Sequence, residues 1–329
     1  MDQFVADFTN QIKEAVKIGE NANLHNPNKK IDNVIITGLG GSGIGGKIVS
    51  ELIADEIKVP VIINNSYFIP KFASKNTLVI VSSYSGNTEE TVSAMKQAIN
   101  ASCEIACITS GGEVLETAKS NNYNYIVVPG GNPPRSMLAY SLVQQLFLLN
   151  NYNLISSDFK EELTKSIDLL DANENSIKVE AEEIANKIHG KIPVIYIEDY
   201  MSGVATRFKQ QINENAKELC WDHVIPEMNH NELVGWAGGS TDYAAIFLLN
   251  ETDYTRNRVR QRVSKEIISK YSNTVVEINS KGDSIIQRAL YLIHLTDWVS
   301  VYLGNIKKVD TIEVDVITGL KEELSRFND

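Results

Sequence analysis

The stretch Val34 to Lys47, VIITGLGGSGIGGK, constrains this chain more than any other. A β-branched run, Val34 to Thr37, favours an extended strand. Glycines follow at 38, 40, 41, 43, 45 and 46 before a helical pattern resumes over Lys47 to Ile53. The order predicts strand, tight turn and helix N-terminus. Glycine there lets the backbone take positive φ and approach a ligand closely, while free N–H groups and the helix dipole attract an anion. A phosphorylated ligand is the expectation.

Gly38, Gly40 and Gly43 also fit a dinucleotide fingerprint, which wants an acidic residue about 20 positions on, at the end of the second strand, to hold a ribose hydroxyl. The second apolar run, Val59 to Ile63, leads instead into Asn64, Asn65 and Ser66. The missing carboxylate argues against a nicotinamide cofactor.

The 329 residues, 43% of them hydrophobic, are enough for two cores. A formal charge of −11 with no cluster of Lys and Arg opposes a nucleic-acid surface. A small phosphate ester needs only a local nest of N–H donors, so acidity does not exclude it. Cys103, Cys107 and Cys220 are odd in number and lack disulfide or zinc spacing, which points to buried reduced thiols. The start, MDQFVADFTNQIKEA, is acidic and amphipathic with no basic opening before an apolar core, so a folded helix of a cytoplasmic protein is expected. No apolar run has membrane-spanning length.

After a first helix over about 2 to 21, apolar runs at Val34 to Thr37, Val59 to Ile63, Thr77 to Ser82, Ile105 to Ile108 and Tyr125 to Val128 alternate with helical patterns. This alternation predicts a parallel sheet covered on both faces. The polar, turn-rich segment 150–158 marks a domain boundary. The second half repeats the scheme: strands at Pro193 to Ile197, Ala244 to Leu249 and Thr274 to Ile278, and helices over about 203 to 218, 256 to 271 and 283 to 304.

The third strand ends in SSYSGNTEET, residues 82–91. Gly86 and Asn87 supply a turn, Thr88 stands at a cap position, and Glu89 and Glu90 suit the first turn of a helix. Ser83, Ser85 and Thr88 crowd the carboxyl end of a strand, where open α/β sheets bind ligands. Hydroxyls beside helix N–H groups suit a phosphate dianion.

GLGGSGIGG followed by SSYSGNTEET resembles the sugar isomerase (SIS) domain, whose second loop binds the substrate phosphate. Residue types continue to match through PPRSMLAY, NENAK, PEMNHNELVGW and the terminal ITGLKEEL. Together they resemble the bifunctional phosphoglucose/phosphomannose isomerases, a two-SIS-domain branch of the phosphoglucose isomerase superfamily. The resemblance implies an α/β fold of two SIS-type domains, each a mainly parallel sheet flanked by helices. The first would span 1–152 with the phosphate loops, and the second 153–329 with the catalytic Glu and His and a terminal helix.

The same resemblance implies the site residues. Gly40, Gly41, Ser42, Ser83, Ser85 and Thr88 would hold the phosphate. Arg135, stiffened by Pro133 and Pro134, would stabilise an enediolate, as a fixed guanidinium fork suits an oxyanion. Glu214, which by itself reads as a solvated helix face, aligns with the general base of an aldose–ketose isomerisation. His230 and Lys321 would open the sugar ring, with His230 donated by a second subunit of a homodimer. Thr311 and Thr318 are candidates for the threonine linked to tolerance of both C2 epimers. No metal and no cofactor are expected. The implied reaction interconverts fructose 6-phosphate with glucose 6-phosphate and mannose 6-phosphate. The alternative is a non-catalytic SIS module that senses a sugar phosphate, which shares the phosphate loops but has no need of Glu214, His230 and Arg135 together.

Overall fold

A computed structural model describes residues 1–27 and 29–327. The N-terminal helix is two helices, α1 (Asp2–Ala6) and α2 (Phe8–Glu20). Asp7 leaves helical geometry between them, at φ −87° and ψ 5°, and its carboxylate accepts from Asn10 at 2.8 Å. Asp competes for local backbone and side-chain donors in this way, which is why it breaks helices that periodicity alone would continue.

The first half then winds as β1 (Asn33–Thr37), α3 (Gly40–Leu52), β2 (Val61–Asn64), β3 (Thr77–Ser82), α4 (Glu89–Asn100), β4 (Glu104–Thr109), α5 (Gly112–Ser120), β5 (Asn124–Val127) and α6 (Leu138–Asn151). These strands form one parallel five-stranded sheet in the order β2-β1-β3-β4-β5. A long helix, α7 (Phe159–Ile188), leads into β6 (Ile192–Glu198), α8 (Ser202–Ala216), β7 (Trp221–Ile225), α9 (Glu232–Gly235), β8 (Tyr243–Leu249), α10 (Thr255–Ile268), β9 (Val275–Asn279), α11 (Ile285–Lys307) and α12 (Asp315–Leu324). The second sheet is parallel in the order β7-β6-β8-β9.

Strand β7 was not legible in the sequence. It is a short edge strand, WDHVI, whose Asp222 and His223 hide the apolar pattern. Asp222 is satisfied by α8: Thr206 donates to it at 2.7 Å and Lys209 pairs with it.

Side chains alternate across a strand, so each sheet has two apolar faces to cover. Val34, Ile36, Leu78 and Ile80 of the first sheet join Ile195, Ile197, Ile246 and Leu248 of the second in one continuous core. Helices α2, α3, α6, α7, α8 and α11 fill the space between them. The opposite faces have their own smaller cores: Ile35, Val79, Val81 and Cys107 in the first sheet, and Val194, Tyr196, Ala245 and Phe247 in the second. All three cysteines are free and buried, and burial pushes the Cys107 thiol up to about 12. Among the described residues no helix is long and apolar enough to cross a membrane.

The N-terminal helices are pinned to the second half through a charged contact. His294 of α11, 1% exposed and stacked on Phe8, bonds Glu174 of α7 at 2.7 Å, and Lys178 pairs with the same carboxylate at 2.7 Å. Burial works to raise Glu174, but the bond with His294 and the Lys178 ammonium outweigh it and hold the carboxyl at about 2, below its ordinary 4.5. A carboxyl depressed on folding contributes stability above its unfolded pKa and loses it as pH falls through the folded value. Urea denaturation followed between pH 4.5 and pH 2 should therefore show a progressive loss of stability that Glu174→Gln flattens.

Candidate active site

The glycine run behaves differently from a simple turn. Helix α3 begins at Gly40, so Gly41, Gly43, Gly45 and Gly46 lie inside it, and of the run only Gly40 has positive φ, at 54°. The helical glycines serve close approach. A Cβ on Gly41 would come within 2.8 Å of the Pro134 carbonyl oxygen, and one on Gly46 within 2.7 Å of Ile36. Asn65, in the position where a dinucleotide site would want an acid, donates instead to the Gly38 carbonyl at 2.5 Å.

The second loop lies against the first. Ser42, buried at the start of α3, accepts from the Tyr84 N–H at 3.1 Å. Ser83 is buried, accepts from the Gly86 N–H at 3.2 Å and donates to the Thr88 hydroxyl at 3.1 Å, so its side chain shapes the turn. Gly86 has φ 73°, and its position against the Gly111 carbonyl leaves no room for a Cβ. Ser85 is exposed, and Thr88 stands at the N-cap of α4 without capping it through its side chain. The first N–H groups of α4, with Ser85 and Thr88 beside them, therefore form an uncapped helix start suited to an anion.

Arg135 sits where the two halves meet. It occupies a 3-10 turn, Pro134–Ser136, with proline at its start and the Ser136 hydroxyl donating to the Pro133 carbonyl at 2.7 Å. The side chain is 5% exposed. Its Nε donates to Asn215 Oδ1 at 2.8 Å, Nη1 to Glu214 Oε2 at 3.3 Å, and Nη2 to the carbonyls of Thr311 at 2.6 Å and Ile312 at 3.0 Å. Desolvation lowers its pKa from the ordinary 12.5, partly countered by Glu214, yet an arginine stays charged at any working pH.

Each partner is itself held. Asn215 donates to Ser300 at 2.9 Å, and Ser300 donates to the Asp297 carbonyl at 2.6 Å. Arg207, one helical face back along α8, makes a two-pronged pair with Asp297 at 3.1 and 2.6 Å and donates to the Arg135 carbonyl at 3.2 Å. Lys217, which ends α8 in left-handed geometry, binds the carbonyls of Glu214, Asp310 and Glu313, fastening segment 309–314 over the site. At the other end of α8, Glu51 of α3 accepts from Ser202 at 2.7 Å and from the Gly203 N–H at 2.8 Å, and burial raises its pKa. Helix α8 is thus clamped to the glycine helix at its start and to Arg135 at its end.

A cleft of about 240 Å³ opens between these helices, lined by Leu39, Gly40, Lys47, Asn65, Thr206 and Gln210. Gln210 lies one helical turn before Glu214. Arg135 and Glu214 meet at 3.3 Å, and the turn that carries Arg135 packs against Gly41 of the glycine helix. Two other expected residues, His230 and Lys321, make no hydrogen bond or ion pair with this pair. His230 is exposed on the loop after β7 and has no hydrogen-bond partner among the described residues. That loop covers the face of the second sheet opposite to α8: Met228 and Trp236 pack with Tyr196 and Phe247, while Phe208 and Ile212 of α8 pack with Ile195 and Ile197. The sheet therefore stands between His230 and Glu214 of one chain. Lys321 is exposed on α12, which follows the segment tied to Arg135. Of the two threonines, Thr311 touches Arg135 through its carbonyl and accepts from the Met1 amino group at 3.3 Å, whereas Thr318 bonds only its own helix backbone.

Sequence reasoning missed Asn215, Arg207, Asp297 and Glu51. Asn215 adjoins Glu214 in NENAK and could have been taken with it, but Arg207 and Asp297 become partners only through the crossing of α8 and α11. No group of three or more metal-ligating side chains occurs among the described residues.

Comparison with known proteins agrees with this geometry. Residues 177–324 match the family model described as the bacterial phospho-glucose isomerase C-terminal SIS domain. The chain is 37% identical to a bifunctional phosphoglucose/phosphomannose isomerase of Caldicellulosiruptor bescii over the full length of both chains. It is 36% identical to the one of Aquifex aeolicus, covering 89% of this chain and 90% of that one. A hypothetical protein of Thermus thermophilus shares the fold with a TM-score of 0.76 at 14% identity, over 98% of this chain and 90% of that one.

The Arg207–Asp297 pair, with side chains 3% and 5% exposed, should dominate local stability. Asp297→Asn leaves the guanidinium without its counter-charge, and urea denaturation should show a loss of about 3–5 kcal/mol.

Proposed function

This chain belongs to the bifunctional phosphoglucose/phosphomannose isomerase family, and we propose from that premise which of its residues carry the reaction. The enzyme is an aldose–ketose isomerase that interconverts fructose 6-phosphate with glucose 6-phosphate and mannose 6-phosphate through a cis-enediol. Two domains, 1–152 and 153–329, divide the work: the first grips the phosphate and the second supplies the base.

Gly40, Gly41 and Ser42 at the start of α3, with Ser83, Ser85 and Thr88, hold the phosphate, so that a group remote from the chemistry positions the reacting carbons. His230 and Lys321 move protons at O5 and O1 to open the ring. Glu214 takes the proton from one carbon and returns it to its neighbour, and Arg135 offsets the charge of the enediolate. The observation that carries this reading is the contact of Arg135 with Glu214 at 3.3 Å, within a buried network that fixes the arginine fork from three sides. A phosphate sensor has no use for such a pair.

The sheet between Glu214 and His230 supports a homodimer in which each His230 serves the partner's Glu214. The substrate is a small phosphorylated sugar, and the three buried reduced thiols suit a cytoplasmic enzyme.

In a coupled assay Glu214→Gln should lower kcat by about 10² to 10⁴-fold with little change in KM, as expected for loss of a general base; unchanged turnover would refute the assignment. Doubly tagged dimers that pair a Glu214→Gln chain with a His230→Ala chain should recover about half the wild-type activity, because one of their two sites is whole. Two inactive homodimers and an inactive mixed dimer would contradict the shared site.

A further inference from the structure

The loop that carries His230 is held far more firmly than an exposed loop requires. Met228, two residues before the histidine, is fully buried against Tyr196 and Phe247. Asn229 donates to the buried Ser264 of α10 at 2.7 Å. Asn231 donates to Glu227 at 2.8 Å and accepts from the Glu232 N–H at 2.6 Å. Within residues 228–232, His230 is the one side chain with neither burial nor a hydrogen bond.

Glu232 is the centre of this anchorage. One carboxylate oxygen accepts from the hydroxyl of Tyr196 at 2.5 Å, and the other lies 2.6 Å from His223 Nδ1. Tyr196 is fully buried on β6 and also accepts from the indole N–H of Trp236 at 2.8 Å, so its hydroxyl joins both ends of α9 to the sheet. His223 lies on β7, the strand from which the loop departs. A carboxylate bonded to two neighbouring strands fixes the direction in which a loop leaves them, because both of its oxygens are committed.

We infer that Glu232, with Tyr196 and His223, is a positioning residue for the reaction: it holds the loop so that His230 projects outward to the active site of a second copy of the chain. The inference rests on the shared-site reading above. With both carboxylate oxygens committed to Tyr196 and His223, Glu232 acts through His230, two residues away.

The mixed dimer provides a test that separates this role from a general effect on folding. Its single whole site combines Glu214 of the His230→Ala chain with His230 of the Glu214→Gln chain. Adding Glu232→Gln to the Glu214→Gln chain places the lesion beside the histidine in use, and kcat should fall by about 10- to 100-fold, the loss that a misplacement of about 1 Å can cause, with KM largely kept. Adding Glu232→Gln to the His230→Ala chain places it where no histidine is used, and the activity of the parent mixed dimer should remain. Equal losses in both placements, or no loss in either, would overturn the inference. If the parent mixed dimer is itself inactive, the shared-site reading fails and the inference falls with it. Should Glu232→Gln fail to fold, Tyr196→Phe removes one donor to the same carboxylate without changing the ring, and the same pair of placements decides.

Discussion

Burial of the Arg135 guanidinium is the constraint on which the rest of the site depends. A charge 5% exposed to solvent is tolerable only if its donors are met, and here they are met from distant parts of the chain: Glu214 and Asn215 on α8, and the carbonyls of Thr311 and Ile312 after α11. The arginine comes from the first half of the chain and its partners from the second. The same bonds that satisfy the charge therefore register one sheet against the other, and place the Glu214 carboxylate against a fixed cation. Arg207 extends the arrangement by binding Asp297 and the Arg135 carbonyl together, so the backbone behind the guanidinium is held as well as its tip.

This registration needs the backbones to come close, and the glycine run makes that possible. Inside α3, side chains at Gly41 or Gly46 would meet the Pro134 carbonyl or Ile36, so the helix could not lie where it does with larger residues. Gly203 performs the same service from the other side, since a Cβ there would meet Ile48 and Glu51 of α3. Glycine lowers the intrinsic stability of a helix. Packing between the two sheets, and the clamp of Glu51 on the start of α8, offset that loss.

How much of this was legible follows from the range of each interaction. The parallel sheets, the strand before the glycines and the hydroxyl-rich loop after β3 are local patterns, and the structure has them where periodicity and turn chemistry put them, to within a few residues. The helix starting at Gly40 was hidden, because six glycines read locally as a turn and only tertiary contact makes five of them helical. Strand β7 was hidden by Asp222 and His223, whose partners are on α8 and α9. Among the site residues, Glu214 and Lys321 are chemically ordinary in sequence and were selected by resemblance alone. The structure brings Glu214 to Arg135 and leaves His230 across a sheet from it, a separation that no spacing along the chain could express.

The central claim is that a proton moves between neighbouring carbons of a bound sugar phosphate at this site. Proton NMR of fructose 6-phosphate incubated with the purified enzyme in deuterated water tests it most directly, by following the anomeric signals of both aldose products. The account predicts glucose 6-phosphate and mannose 6-phosphate, each carrying deuterium at C2. Fructose 6-phosphate that binds yet stays unconverted, with no deuterium entering any product, would contradict it.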